Sequence, residues 1–295
     1  MSKYMVKFYG TFNSTPDSFL GTLILMLVVA CVKQVPDTTQ VKVDPVTGTL
    51  IREGVPFIMN PYDTHALEES LKLKDRYGFR VAVISMGPPT AEVTLRKAQA
   101  LGADEAILLS DRAFGGADTL ATSKVLAEAV RKLAQNEELA VVICGRQTID
   151  GDTAQVGPGI ASRLECSQLT LVDRIEEVDV ENRQVKVRRK LEGRHEIVAA
   201  PLPAMIAVLR EINKPRYPTV PMRLMAEDAA ITLWDNQEMK IDEQTIGLKG
   251  SATQVRKIFS PERAKGQIIG GEADKPEDTA KLLIDRMMEK DLLSF

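Results

Sequence analysis

The 295-residue chain has little of what most catalytic side-chain machinery needs: two histidines, three cysteines and one tryptophan. His65 and His195 have no partner motif for a triad or a metal site, so a surface or capping role is expected for both. The cysteines, at 31, 144 and 166, are odd in number and contain no CxxC pair. That argues against a disulfide framework and against a zinc or iron–sulfur site, and it fits a reducing compartment. GxSxG, HExxH, GxxxxGK[ST] and GxGxxG are all missing. The net charge is −3 with no basic block, so nucleic acid is not an expected partner. The apolar part of "FLGTLILMLVVACV" falls short of the ~20 residues that span a bilayer and stops at Lys33, so no direct membrane insertion is expected. Any redox chemistry would belong to a bound cofactor.

What is present is ordinary for a soluble globular protein: 44% hydrophobic and 27% charged residues, in a length that suits one large domain with additions or two domains. The stretch "MLVVACVKQVPD", residues 26–37, can be read in two ways. With Lys3 and Lys7 ahead of it, it resembles a secretory signal ending in a lipid-attachment box. Alone, Leu27 to Val32 is a short β-branched run of the kind that forms a buried parallel strand. Pro16 and Asp17 interrupt the approach, and a mature protein would then begin inside a strand. The strand reading is adopted, with residues 1–25 as a non-native or disordered extension and a cytoplasmic location.

Strand-like and helix-like stretches then alternate. An extended excursion after residue 36 carries turn signals at 44–48 inside a possible hairpin. "THALEESLKLKDRYG" is a helix stopped by Gly78, "RVAVISMG" a buried strand, "TAEVTLRKAQALGAD" a helix ending at Gly102, and "EAILLSD" a third strand. "DTLATSKVLAEAVRKLAQ", "LAVVICG" and "DTAQVGPGIASRL" continue the series. This alternation implies an α/β fold with an open, doubly wound, mostly parallel sheet of Rossmann-like type. Antiparallel strands are expected after residue 174, feeding a last buried strand at 204–209. A proline-rich stretch, "NKPRYPTVPMRLM", closes the domain at 26–225. Residues 226–295, with a final amphipathic helix, are expected as an extended arm packed on a partner subunit.

Ligands of open α/β sheets sit at the carboxyl ends of strands. The richest such edge is "CGRQTIDGDTAQVGPG", residues 144–159. Amides at the helix start, the Thr153 hydroxyl and Gly157 can form an anion site without lysine, and a nucleotide phosphate is its natural guest. Asp150 and Asp152 oppose this unless they cap the helix or take a ribose hydroxyl. "FGGADT" (residues 114–119) and "SMGPP" (residues 85–89) are weaker strand exits on the same edge, each of which could be plain turn chemistry.

In order and spacing, "CVKQVPDT", "NPYD", "QALGADEAILLSD", "GRQTIDGDTAQVGPGIA" and "VRRKLEGRHEIVAAPLPAMIAV" resemble the beta subunit of the electron transfer flavoproteins. Arg194 departs from that signature, which usually has an acidic residue or glycine there. The resemblance implies a heterodimer with an alpha subunit carrying FAD. It puts nucleotide contacts on Cys31, Asn60, Asp63, Met86, Gly87, Asp118, Thr119, Thr122 and Arg146. To these it adds Asp150, Gly151, Asp152, Thr153, Ala154, Gln155, Val156 and Gly157. Tyr62 takes the aromatic position that approaches the alpha-subunit flavin.

"DGDTAQVGP" looks like the electron-bifurcating type, which implies FAD in this subunit and NADH as transient electron donor. One electron would go to ferredoxin or flavodoxin and the other to an acyl-CoA dehydrogenase or quinone-linked oxidoreductase. Val220 falls at the anchor of the loop that docks the dehydrogenase, although "MAED" stands where lysines are common. The alternatives are a non-bifurcating carrier with structural AMP here, and a universal-stress-like nucleotide-binding module, whose glycine spacing this sequence lacks.

Overall fold

The first strand explains the architecture. β1 (Met26–Cys31) is buried along its whole length. Met26, Val28 and Ala30 enter one hydrophobic cluster and Leu27, Val29 and Cys31 another. A strand apolar on both faces has a layer of helices on each side, which is why its sequence does not alternate. In the computed structural model, residues 26–37, 42–43, 50–51, 56–254, 266, 268–270 and 275–293 are described. The N-terminal extension expected at 1–25 and the turn expected at 44–48 lie outside them.

After β1 come β2 (Gln34–Pro36), β3 (Lys42–Val43), β4 (Leu50–Ile51) and β5 (Phe57–Met59). β2 pairs antiparallel with β5, and β3 pairs with β4, the ribbon expected around the turn signals. The alternation then runs α1 (Pro61–Tyr77), β6 (Arg80–Met86), α2 (Glu92–Leu101), β7 (Glu105–Leu109), α3 (Thr119–Leu133), β8 (Glu138–Gly145) and α4 (Val156–Leu164). β9 (Ser167–Asp179), β10 (Gln184–Leu191), β11 (Arg194–Pro201) and β12 (Ala204–Val208) follow, then α5 (Val220–Asp228), β13 (Thr232–Trp234), α6 (Asn236–Met239) and α7 (Pro276–Glu289). As expected, α1 and α2 end at Gly78 and Gly102 in left-handed conformation.

Nine strands form one sheet in the order β11-β10-β9-β12-β8-β1-β6-β7-β13. In that order every pairing from β9 across to β13 is parallel, and β10 is antiparallel to both β9 and β11. Leu67 and Leu71 of α1 and Leu95 of α2 fill the core on one face, while Val125 and Val130 of α3 and Ile160 of α4 fill the other. The chain leaves β1 toward β6 and β7, then returns to lay β8 on the opposite side of β1. The switch point is therefore the crevice between the carboxyl ends of β1 and β8, where Cys31 is in register with Cys144.

Two elements differ from the expectation. The helix foreseen from residue 152 begins at Val156, because Asp152 and Ala154 adopt positive φ and cannot continue a right-handed helix. The stretch beyond residue 226 first returns to the sheet: β13 pairs with β7 from Thr232↔Ile107 to Trp234↔Leu109. The chain divides into two compact units, and residues 51–256 belong to the first. α7, in the second, exposes Leu282, Leu283, Ile284 and Met288. Among the described residues no helix is long and apolar enough to cross a membrane.

Candidate functional site

A cavity of about 380 Å³ opens at the switch point, on the side of α3 and α4. Thirteen of the residues expected at the site line it: Cys31, Asp63, Met86, Asp118, Thr119, Thr122, Arg146, Gly151, Thr153, Ala154, Gln155, Val156 and Gly157. Asn60, Gly87, Asp150 and Asp152 are not among its lining residues. Lys33, Phe114, Leu126, Gln147 and Thr148 also line it, although none of them was expected individually as a contact. They come from three chain segments whose side chains converge only after the sheet forms.

The loop into α4 departs from helical backbone at two residues. Asp152 has φ +56° and Ala154 φ +55°, and Gln155 returns to right-handed values at φ −102°, ψ −21°. A left-handed residue followed by a right-handed one turns consecutive N–H groups toward a common point, the geometry of an anion nest. A left-handed conformation costs a non-glycine residue roughly 1–2 kcal/mol. Asp can offset part of this by local hydrogen bonding, whereas Ala154 has no side chain to do so. The first amides of α4 lie just beyond, without acceptors inside their own helix. Thr153 adds a hydroxyl to the wall.

The two aspartates that oppose an anion are both engaged. Lys33 Nζ lies 2.7 Å from Asp150 Oδ2. Burial alone would raise the Asp150 carboxyl, but the bonds from Lys33 and Thr148 and the Lys33 charge hold it below its ordinary value. Gln147 Nε2 donates to Asp152 Oδ1, and the Asp152 amide donates to the Thr148 carbonyl at 2.9 Å. Across the mouth, Thr119 Oγ1 donates to Gln155 Oε1 at 2.9 Å, tying the start of α3 to the loop.

Asn60 and Asp63 staple the strand exits together. Asn60 is fully buried; its Nδ2 donates to the Gln147 carbonyl at 2.9 Å, and its Oδ1 accepts from the Ile149 amide at 3.3 Å. Asp63 Oδ2 accepts from the Lys33 amide at 2.8 Å and Oδ1 from the Gly145 amide at 3.2 Å. Burial pushes its carboxyl up to about 7, against the bonds from Asn60, Lys33 and Gly145. Burial also raises both thiols on the cavity floor, Cys144 to about 12, with the Asp63 charge adding to each. Such thiols stay protonated and serve as apolar wall.

Gly157 lines the cavity and also packs closely. A Cβ there would lie 2.7 Å from Cys144 Sγ and 3.1 Å from Met205 Sδ, so its bare face lets α4 approach the sheet. On the far wall, both oxygens of Asp118 are taken: Oδ1 accepts from the Ala121 amide, and Oδ2 from the Thr253 amide and hydroxyl. Burial would raise this carboxyl, but those bonds outweigh it and hold it low.

Tyr62 lines a second depression of about 480 Å³ with Leu171, Lys190, Arg210 and Glu211. The Arg210 guanidinium stands 5.9 Å from the Tyr62 ring centre, and Arg146 lines both depressions. Val220 opens α5, with Thr219 as N-cap, and is 71% exposed, so it does not pack beneath the proline-rich loop. His65 Nδ1 pairs with Asn213 Oδ1 at 2.9 Å, and His195 Nε2 lies 3.2 Å from Asp173 Oδ2. Among the described residues no group of His, Cys, Asp and Glu is arranged to hold a metal.

The profile of the electron transfer flavoprotein domain matches residues 47–239. The chain is 48% identical over 267 residues to the electron transfer flavoprotein subunit beta of Clostridium acetobutylicum, covering 90% of this chain and 99% of that one. It is 45% identical to Protein FixA of Azotobacter vinelandii, over 88% of this chain and 93% of that one. It is 44% identical to the caffeyl-CoA reductase-Etf complex subunit CarD of Acetobacterium woodii, over 91% of this chain and 100% of that one. With the switch-point cavity and its anion nest, these likenesses give one answer: the chain belongs to the electron transfer flavoprotein family, among its beta subunits.

Proposed function

We propose that the chain pairs with an electron transfer flavoprotein alpha subunit and binds FAD in the switch-point cavity. The observation that carries this is the left-handed backbone at Asp152 and Ala154 ahead of α4, where Thr153, Ala154 and Gln155 line the cavity while Asp150 is paired with Lys33 and Asp152 accepts from Gln147. In this role the amides of residues 153–157 and the Thr153 hydroxyl hold the pyrophosphate. Met86, Phe114 and Leu126 supply apolar surface for the adenine. The hydroxyls of Thr119 and Thr122 stand on the opposite wall.

Bound FAD supplies the two-electron and one-electron chemistry for which the side chains have no group of their own. The assembled complex would then take two electrons from NADH, sending one to ferredoxin or flavodoxin and one through the alpha subunit to a dehydrogenase or quinone-linked acceptor. The Acetobacterium woodii relative, named as a subunit of a caffeyl-CoA reductase-Etf complex, is consistent with an acceptor of the acyl-CoA class. A cytoplasmic setting fits three free cysteines, two of them buried.

AMP is the competing guest. The run "DGDTAQVGP" leading into α4, which resembles the electron-bifurcating type, favours the dinucleotide. Counting cofactors in the purified heterodimer separates the two. Two FAD per complex and bleaching of the flavin absorbance by NADH are expected. One FAD, one AMP and indifference to NADH would replace this proposal with the simple carrier.

A further inference from the structure

Residues 110–118 join β7 to α3 and contribute Phe114, Gly116, Ala117 and Asp118 to the cavity. The tail follows this loop from end to end. The Ser110 amide donates to the Trp234 carbonyl at 3.2 Å. Asp111 divides its carboxylate: Oδ1 accepts from the Ala113 amide of its own turn at 2.8 Å, and Oδ2 from the Asn236 amide at 2.9 Å. Midway, the Leu248 amide donates to the Gly115 carbonyl at 3.1 Å. Gly247 sits at φ +55°, where a Cβ would overlap the Ala113 carbonyl oxygen, so only glycine lets the tail lie this close.

The far end repeats the divided carboxylate. Asp118 Oδ1 caps α3, and Oδ2 accepts from the Thr253 amide at 3.0 Å and hydroxyl at 3.1 Å. The Asp118 amide donates to Ser251 Oγ at 2.8 Å, and Ser251 Oγ donates to the Gly247 carbonyl at 2.7 Å. Beneath these bonds, Ile241 and Ile246 are buried in the same cluster as Phe114. The wall of the cavity is thus held in place by chain that arrives more than a hundred residues later.

We infer that residues 234–253 are a strap that sets the position of the 110–118 wall, and that Ser251 and Thr253 are positioning residues for the nucleotide. The inference rests on the nucleotide reading of the cavity. Neither Ser251 nor Thr253 lines the cavity. Their effect runs through Asp118, whose second oxygen and amide are fixed by the strap while the first oxygen caps α3. Without those bonds the loop gains conformations, and the cost of ordering it again falls on ligand binding.

The test compares the full chain with the double variant Ser251→Ala/Thr253→Val, titrated with FAD and with AMP, while amide exchange is followed at residues 112–118. The dissociation constant of the nucleotide that binds is expected to rise about tenfold. Exchange should quicken at 112–118 and stay unchanged in β1, β6 and β8. Thr253→Ser, which keeps the hydroxyl, should retain wild-type affinity. Wild-type binding with an unchanged double variant overturns the strap alone, as does exchange that quickens evenly across the sheet. A wild-type chain that binds neither FAD nor AMP overturns the nucleotide reading and the strap with it.

Discussion

The Lys33 ammonium lies 2.7 Å from Asp150 Oδ2 and joins the end of β1 to the loop after β8. The Lys33 side chain is 45% exposed, so the pair contributes only about 0–1 kcal/mol to folding. Its effect is on local charge, since it compensates the Asp150 carboxylate beside the loop into α4. Lys33→Met should weaken nucleotide binding about fivefold, through one unpaired charge in a partly solvated site. Adding Asp150→Asn should restore it. A titration of the four proteins of this cycle checks the coupling, and independent losses from the two substitutions would refute it.

Asp63 makes stability depend on pH. Its carboxyl is raised to about 7, whereas an unfolded Asp titrates near 3.9. Between these values the native state holds a proton that the unfolded state has released, so this group's contribution to stability falls as pH rises from about 4 to 7. Asp63→Asn should flatten the slope. The variant is expected to be less stable than wild type at pH 5, where it offers the Lys33 and Gly145 amides a poorer acceptor, and to close the gap by pH 8. Thermal midpoints across that range measure it; a gap independent of pH would mean that Asp63 stays ionised throughout.

Gly157→Val should destabilise the fold before it affects any ligand. The new side chain would press on Cys144 Sγ and Met205 Sδ, and overpacking of this kind costs about 1–3 kcal/mol. Gly157→Ala should show a smaller loss. A reduced midpoint in the nucleotide-free protein is the expected outcome. Full stability with lost binding would instead put the glycine's bare face toward the ligand.

Val220→Glu probes partner docking. The side chain is exposed, so the fold should tolerate the charge within about 0.5 kcal/mol. Electron delivery to the dehydrogenase should weaken, seen as a raised KM for that protein, while NADH oxidation with a small-molecule dye is unchanged. Equal losses in both assays would point to a fold defect.

Legibility followed the range of the interaction. The strands were readable because burial on both faces leaves uninterrupted apolar runs such as "LVVACV", and α1 and α2 because Gly78 and Gly102 end them locally. The cavity edge after β8 was readable for the same reason, as strand exit, glycine and helix start are adjacent in sequence. Asn60 is fully buried with its side chain bonded to Gln147 and Ile149, partners that lie nearly ninety residues along the chain and leave no local trace beside it. Lys33 looked like a strand terminator, and its partner Asp150 is 117 residues away.

The amino-acid sequence by itself determined the alternating α/β order, the edge of the sheet at which the cavity opens, and membership of the electron transfer flavoprotein family, because local periodicity and short motifs encode these directly. Tertiary structure alone decided that Asp152 and Ala154 turn left-handed to form a nest, that Lys33 cancels the charge of Asp150, and that residues 234–253 return to brace the Asp118 wall. Each of these depends on groups brought together by sheet order and loop closure, and a pairing between residues far apart along the chain leaves no period or spacing in the sequence to read.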